Sequence, residues 1–241
     1  VFFPIRDDAP TYRKPYFTVG LIVVNSLIFV FTTMLGAREF QLFTIQFGYI
    51  PFELWTSVEL TPQIPAPQYL TPFTSMFMHG GWMHLIGNML FLWIYGNNVE
   101  DYFGPIKFLI FYLVAGLAAI AIYTIFDSNS QVPLVGASGA IAGVMGAYIV
   151  LHPNARITVL VVLFFIQFVQ VPAKVVLGIW FGYQLLMSLT GMSGAAGGGV
   201  AWMAHVGGFV FGYLVMKLVV RISGRGGMPS GRQRVYRMNW R

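Results

Sequence analysis

Cysteine is absent from the 241 residues. That excludes a disulfide framework, a thiol nucleophile, an iron–sulfur cluster and any cysteine-type zinc site. Charge is scarce. Only 9% of residues are charged, against about 25% in a soluble domain, so the chain cannot cover a water-facing surface of its own size. Acid is scarcer still, with 8 Asp+Glu against 14 Lys+Arg. What fills the chain is apolar: 57% of residues are hydrophobic and the mean hydropathy is +0.71. Such a composition suits a lipid solvent, and six spans of about 20 residues would occupy half of it.

Six apolar stretches are long enough to serve. The first, Tyr16–Gly36, is an internal run with no small-residue cleavage site after it, and so reads as a span and not a signal peptide. The others are Gly81–Asn97, Pro105–Phe126, Val135–Leu151, Pro172–Leu189 and Val200–Val220, two of them opening with Pro as helix starts favour. Residues 37–71 form a long first connection, rich in Phe, Tyr and Trp and interrupted by prolines, expected to lie in the membrane interface. The apolar, β-branched stretch Ile157–Val171 is short for a span and could be re-entrant, interfacial or a seventh helix.

Charge placement decides the count. With six spans, 13 of the 14 Lys+Arg share the side of the two termini, and Arg38 alone stands opposite. A seventh span would carry the carboxyl-terminal cluster across and break the positive-inside pattern. The expectation is therefore an all-α membrane protein, a six transmembrane helix bundle with a long interfacial first loop. Residues 1–15 are expected to be a cytoplasmic tail, 16–220 the helical domain and 221–241 a basic cytoplasmic tail. That last segment holds six Arg and four Gly. Attraction to anionic lipid is the simpler reading of its position beside a span, an RNA-binding arm the alternative. Compactness and the lack of a targeting segment point to the plasma (inner) membrane of a bacterium.

Polar groups inside spans are expensive and so informative. Span two carries His84 and Asn88, four apart and on one face. Span four begins Gly136-Ala137-Ser138-Gly139, and span six carries His205, then Gly208 and Gly212. All three spans enter from the non-cytoplasmic side. At 1.5 Å rise per residue, these side chains fall roughly 5–8 Å below their helix starts, a single level near the outer surface. Ser138 can act as a nucleophile if His205 takes its proton. The resulting oxyanion needs donors, and the Asn88 amide, a His84 N–H and the Ser138 backbone N–H are available. Spans four to six contain no Asp or Glu, so a dyad is the economical assignment over a Ser-His-Asp triad. Gly139-x-x-x-Gly143 and Gly208-x-x-x-Gly212 are small-residue faces that let two helices approach closely.

The ordinary alternatives are a serine bonded to its own helix and glycines serving packing alone. A transporter using His84 and His205 as a proton relay is a further rival, against which the spans show no matched interrupted halves. The coincidence of depth on three helices favours chemistry. No cofactor and no metal is called for, and no nucleic acid.

These residues resemble the rhomboid family of intramembrane serine proteases. His79-Gly80-Gly81-Trp82-Met83-His84-Leu85-Ile86-Gly87-Asn88 is similar to the family's span-two motif, Gly136-Ala137-Ser138-Gly139 to its nucleophile motif, and Ala204-His205-Val206-Gly207-Gly208 with Gly212 to its span-six motif. The resemblance covers about residues 15–220. It implies Ser138 as nucleophile, His205 as base, Asn88 and His84 at the oxyanion, and His79 in support. It further implies Gly208 and Gly212 packing span six on span four, Trp180 and Phe181 at a lateral gate, and residues 191–199 as a cap. The implied partners are the lipid bilayer and single-span membrane-protein substrates cut near the non-cytoplasmic side. An inactive rhomboid-like protein that binds membrane helices is the alternative. Many members carry Trp-Arg where Leu70-Thr71 stands here, and some carry a tyrosine at the position of Ala142.

Overall fold

The computed structural model describes residues 2–60, 68–162, 165–190 and 201–224. Helices dominate, and each of the six apolar stretches supplies one: α1 (Tyr16–Met34), α5 (Trp82–Phe103), α6 (Pro105–Phe126), α7 (Ser138–Leu151), α8 (Ala173–Leu189) and α9 (Trp202–Ser223). Between α1 and α5 lie the shorter α2 (Ala37–Phe47), α3 (Pro51–Thr56) and α4 (Thr71–Thr74), then a single 3-10 turn Ser75–Phe77. By length and apolarity, α1, α6 and α9 are long enough to cross a membrane, while α7 and α8 are shorter apolar helices.

Local chemistry sets the boundaries. Gly104, at φ 78°, ends α5 and begins α6 in one residue, a left-handed conformation that glycine adopts without Cβ strain. Pro105 then occupies the first helical position, where its missing N–H costs nothing. α7 lies at the centre, packed against α5, α6, α8 and α9. Its residues Ala140 to Tyr148 are all buried. At 1.5 Å per residue, its 14 residues make a rod of about 21 Å, and a helix enclosed by others need not match a hydrocarbon core of about 30 Å.

Two regions take a form that the sequence reading did not specify. The stretch Ile157–Val171 is not a seventh helix. It forms β2 (Arg156–Val162) and β3 (Ile166–Pro172), an antiparallel pair with Ile157 opposite Val171 and Leu160 opposite Phe168. Ile157, Thr158, Val159, Val161 and Val162 are the β-branched residues that favour a pleated surface.

Residues 2–15, within the stretch expected as a tail, also take part in the fold. β1 (Phe2–Asp7) pairs antiparallel with β2, giving a sheet of order β1-β2-β3 with an irregularity between Pro4 and Arg6. The fold is thus mostly helical with a small sheet, and not all-α. Beyond β1, the segment is bolted to the last turns of α5. Asp101 Oδ1 accepts from the Arg13 amide at 2.7 Å. Glu100, 1% exposed, accepts from the Phe17 amide at 2.9 Å and from the Thr18 amide and hydroxyl at 2.8 Å each. Those amides begin α1, where a helix has no acceptors of its own, so one carboxylate meets the dipole of another helix. This explains why α5 runs past Asn97, where a loop was expected. Residues 225–241 of the basic tail lie outside the described residues.

Candidate active site

The first connection reaches inward to shape the start of α7. Tyr49 and Leu134 exchange backbone hydrogen bonds at 3.0 and 2.7 Å, and the Gly136 amide donates to the Ser75 carbonyl at 2.9 Å. Gly136 itself has φ +127°, and a Cβ there would meet the His84 ring at 2.7 Å. Only glycine satisfies both the backbone and the space. Two residues later Ser138 opens α7, its own amide and the next two lacking helical acceptors.

α9 approaches α7 through glycines. A Cβ on Gly208 would strike the Gly139 carbonyl, one on Gly212 the Gly143 carbonyl, and one on Gly146 the Phe209 carbonyl. This backbone-to-backbone packing sets His205, the fourth residue of α9, against the first residue of α7. Ser138 Oγ and His205 Nε2 are hydrogen-bonded at 2.8 Å. On the other side of the ring, Nδ1 is hydrogen-bonded to Gln184 Oε1 of α8 at 2.7 Å. An amide oxygen only accepts, so the neutral ring carries its proton on Nδ1 and Nε2 is the acceptor.

The α5 residues complete the arrangement. His84, Asn88, Ser138, Trp180 and His205 line one recess of about 720 Å³, ample for water to reach the serine. Asn88 is buried at 8% exposed, and its Nδ2 donates to Nε2 of His79, which is 2% exposed. The His79 and His84 rings meet edge to face at 5.2 Å. His84 is exposed. One amide N–H of Asn88 is thereby anchored and its orientation fixed, while the residue remains on the recess wall.

The expected gate residues lie on α8, which packs on α9. Trp180 approaches His205 with centroids 6.0 Å apart at 34°, and Phe181 stacks on Phe209 at 4.8 Å. Trp202 meets His205 edge to face at 6.3 Å. Where Ala142 departs from the tyrosine of some family members, two tryptophans flank the imidazole instead. The cap expected at 191–199 lies outside the described residues.

Sequence reasoning passed over Gln184. It is 4% exposed, an amide in the carboxyl-terminal half of an apolar helix, and the rule applied to His84 and Asn88 also covers it. Asn25 shows why the rule alone does not decide. Equally an amide in an apolar helix, it donates to the Leu21 carbonyl of its own α1 at 2.7 Å and meets no reactive group.

The Rhomboid domain matches residues 66–222 of the chain. Among curated proteins, the chain is 28% identical over 210 residues to Rhomboid protease GluP of Bacillus subtilis, covering 86% of the chain and 36% of that protein. It is 28% identical over 207 residues to RHOMBOID-like protein 12, mitochondrial, of Arabidopsis thaliana, covering 79% and 54%. Rhomboid protein 1, mitochondrial, of Saccharomyces cerevisiae is 29% identical over 149 residues, covering 58% and 39%. The chain thus spans only part of the length of these relatives. The domain match takes in α5 to α9, and with them the glycine-packed helices and the residues of the recess: the chain belongs to the rhomboid family.

Proposed function

We propose that the protein is an intramembrane serine endopeptidase that cleaves membrane-embedded segments of other proteins at the recess, with Ser138 as nucleophile and His205 as general base. The six apolar helices cross the bilayer, both termini are cytoplasmic, and the recess faces the opposite, non-cytoplasmic side. The observation that carries the reading is the 2.8 Å hydrogen bond from Ser138 Oγ to His205 Nε2 on the wall of a recess large enough for an unwound peptide and water.

The chemistry follows from the atoms. As Oγ attacks the scissile carbonyl carbon, its proton passes to Nε2, and the C=O π pair becomes an oxyanion. The Asn88 amide, the Ser138 backbone N–H and His84 are the donors nearest that charge. Such donors are worth most where water is partly excluded. His205 then protonates the departing amine as the C–N bond breaks, leaving an acyl ester on Ser138. Water, deprotonated by the same Nε2, releases the acid and restores the hydroxyl. A helix must unwind to offer its carbonyl, exposing backbone groups that cost several kcal/mol each in hydrocarbon. A wet recess lowers that cost, so substrates with small or helix-breaking residues at the cut are expected to react fastest.

Purified protein incubated with a panel of model membrane spans, its cuts mapped by mass spectrometry, tests the proposal. Ser138→Ala is expected to reduce cleavage by roughly 10⁴-fold or more while the fold is retained, and a fluorophosphonate is expected to label Ser138. Retained cleavage in the variant would remove Ser138 from the role. Helix binding with neither labelling nor cleavage would favour the inactive, helix-binding alternative.

A further inference from the structure

α8 holds to the bundle by few buried residues: Ala173 and Leu177 near its start, and Gln184 alone in its carboxyl-terminal half. Gln184 is the buried polar side chain of that helix, and its partner is the imidazole that faces Ser138. The three groups form a line, from Ser138 Oγ to His205 Nε2 at 2.8 Å and from His205 Nδ1 to Gln184 Oε1 at 2.7 Å. Imidazole geometry makes the two bonds interdependent. A neutral ring has one N–H and one acceptor nitrogen, so an acceptor held at Nδ1 leaves Nε2 unprotonated and able to receive a proton from serine. The other tautomer would turn Nε2 into a donor and disable it as the base. A neutral amide oxygen supplies this orientation without the desolvation cost that a carboxylate carries inside a bilayer.

We propose that Gln184 is a positioning residue that fixes the tautomer and ring orientation of His205. Because it sits on the same helix as Trp180 and Phe181, the base is correctly poised only while α8 is docked on α9. This rests on the protease reading given above. It goes beyond a serine–histidine pair by adding a third, uncharged member on a different helix, and it links the seating of α8 to the competence of the base.

The test combines kinetics with a readout that needs no activity. Imidazole 15N shifts, assigned to His205 by difference from His205→Ala, are expected to show the Nδ1–H form in the native chain and in Ser138→Ala, and a mixture of forms in Gln184→Leu. Gln184→Leu is expected to lower kcat by roughly 10- to 100-fold, part of the 10²–10⁴-fold contribution of a positioned base, with KM changed less than threefold or so. Gln184→Glu keeps the acceptor and is expected to retain most of the rate. Its added negative charge favours the imidazolium, so the acidic limb of its pH–rate profile moves to higher pH. An Nε2–H form in the native chain, or a Gln184→Leu protein with native kcat, native acidic limb and an unchanged Nδ1–H signal, would overturn the proposal. Should the leucine variant fail to fold, Gln184→Met decides: native kcat together with an unchanged Nδ1–H signal would be equally fatal. If the native chain neither cleaves nor labels at Ser138, the protease reading fails, while the tautomer measurement still decides whether Gln184 orients His205.

Discussion

The two ends of α7 carry the same kind of contact and put it to different use. At one end the Ser138 hydroxyl meets His205 at 2.8 Å. At the other, the Tyr148 hydroxyl meets the Asp7 carboxylate at 2.6 Å. Each joins a hydroxyl of the central helix to a titratable group from a distant part of the chain. The Ser138 end borders the recess and offers an imidazole, a group that can both take and return a proton. The Tyr148 end is closed. Tyr148 is fully buried against Tyr95 with centroids 4.9 Å apart, and Asn98 Nδ2 donates to the same carboxylate oxygen at 2.9 Å. On the proposed reading, a short hydrogen bond inside the bundle marks chemistry only where access, a proton acceptor and nearby hydrogen-bond donors coincide. Elsewhere it fastens one element to another.

The comparison breaks most completely if the rod joining the two ends is displaced. Gly212→Leu would drive a side chain into the Gly143 carbonyl, and backbone cannot yield as a flexible side chain does. The expected cost exceeds the roughly 1–3 kcal/mol of ordinary overpacking, and size-exclusion profile and thermal unfolding in detergent should report loss of the folded protein. Gly178 is the control, since a Cβ there meets nothing within 4 Å. Gly178→Ala is expected to be neutral or stabilising by about 0.5–1 kcal/mol. Equal behaviour of the two variants would dissolve the idea that glycine contact sets the Ser138–His205 distance.

A smaller and more selective effect is expected at Asn88. Removing one oxyanion donor typically costs about 10²–10³-fold in kcat, so Asn88→Ala should slow cleavage by that order with KM little changed. The buried amide is bonded to His79, and His79 loses its partner in the variant. His79→Ala separates the contributions: if Asn88 acts directly and His79 only orients it, the His79 variant slows cleavage less. The reverse ranking would move the oxyanion role to His79.

Much of the Ser138 end was legible in the sequence, and little of the Tyr148 end. Spans punctuated by Gly104-Pro105 and Pro172 announce themselves by length and by backbone chemistry. His84, Asn88, Ser138 and His205 stand out because polar groups in apolar helices are rare. Gln184 escaped, as an uncharged amide in a helix read chiefly for aromatics, and Asn25 shows that such an amide can simply bond its own backbone. The sheet escaped for a different reason. β1 is six residues long with a proline inside, so no periodicity marks it, and its partner is far away in sequence. The β-branched run at Ile157–Val162 was visible as such, yet a strand gains its meaning from a neighbour that single-sequence patterns do not supply. Asp7, Glu100 and Asp101 read as ordinary flanking charges until the fold brings them to Tyr148, Thr18 and Arg13.

The finest test acts at the closed end. Burial raises the Asp7 carboxyl above the usual carboxylate range, partly offset by the hydrogen bonds from Tyr148 and Asn98, which favour the charged form. A raised value in the folded state means that the protonated acid is the better-accommodated form. Its stabilising contribution is fully present below the ordinary unfolded value of about 3.9 and is lost as pH rises through the raised folded value. Asp7→Asn is a permanently neutral counterpart whose amide oxygen can still accept from both donors. Its thermal midpoint at neutral pH should match or exceed that of the native chain, with the advantage shrinking towards pH ~4, where the native acid is itself protonated, and with cleavage unaffected throughout. Tyr148→Phe should do the opposite. It removes a donor that favours the charged form, so its cost should grow as pH rises. If Asp7→Asn is instead most destabilising at neutral pH, the donors outweigh burial, and the Tyr148 end is held by an ionised carboxylate.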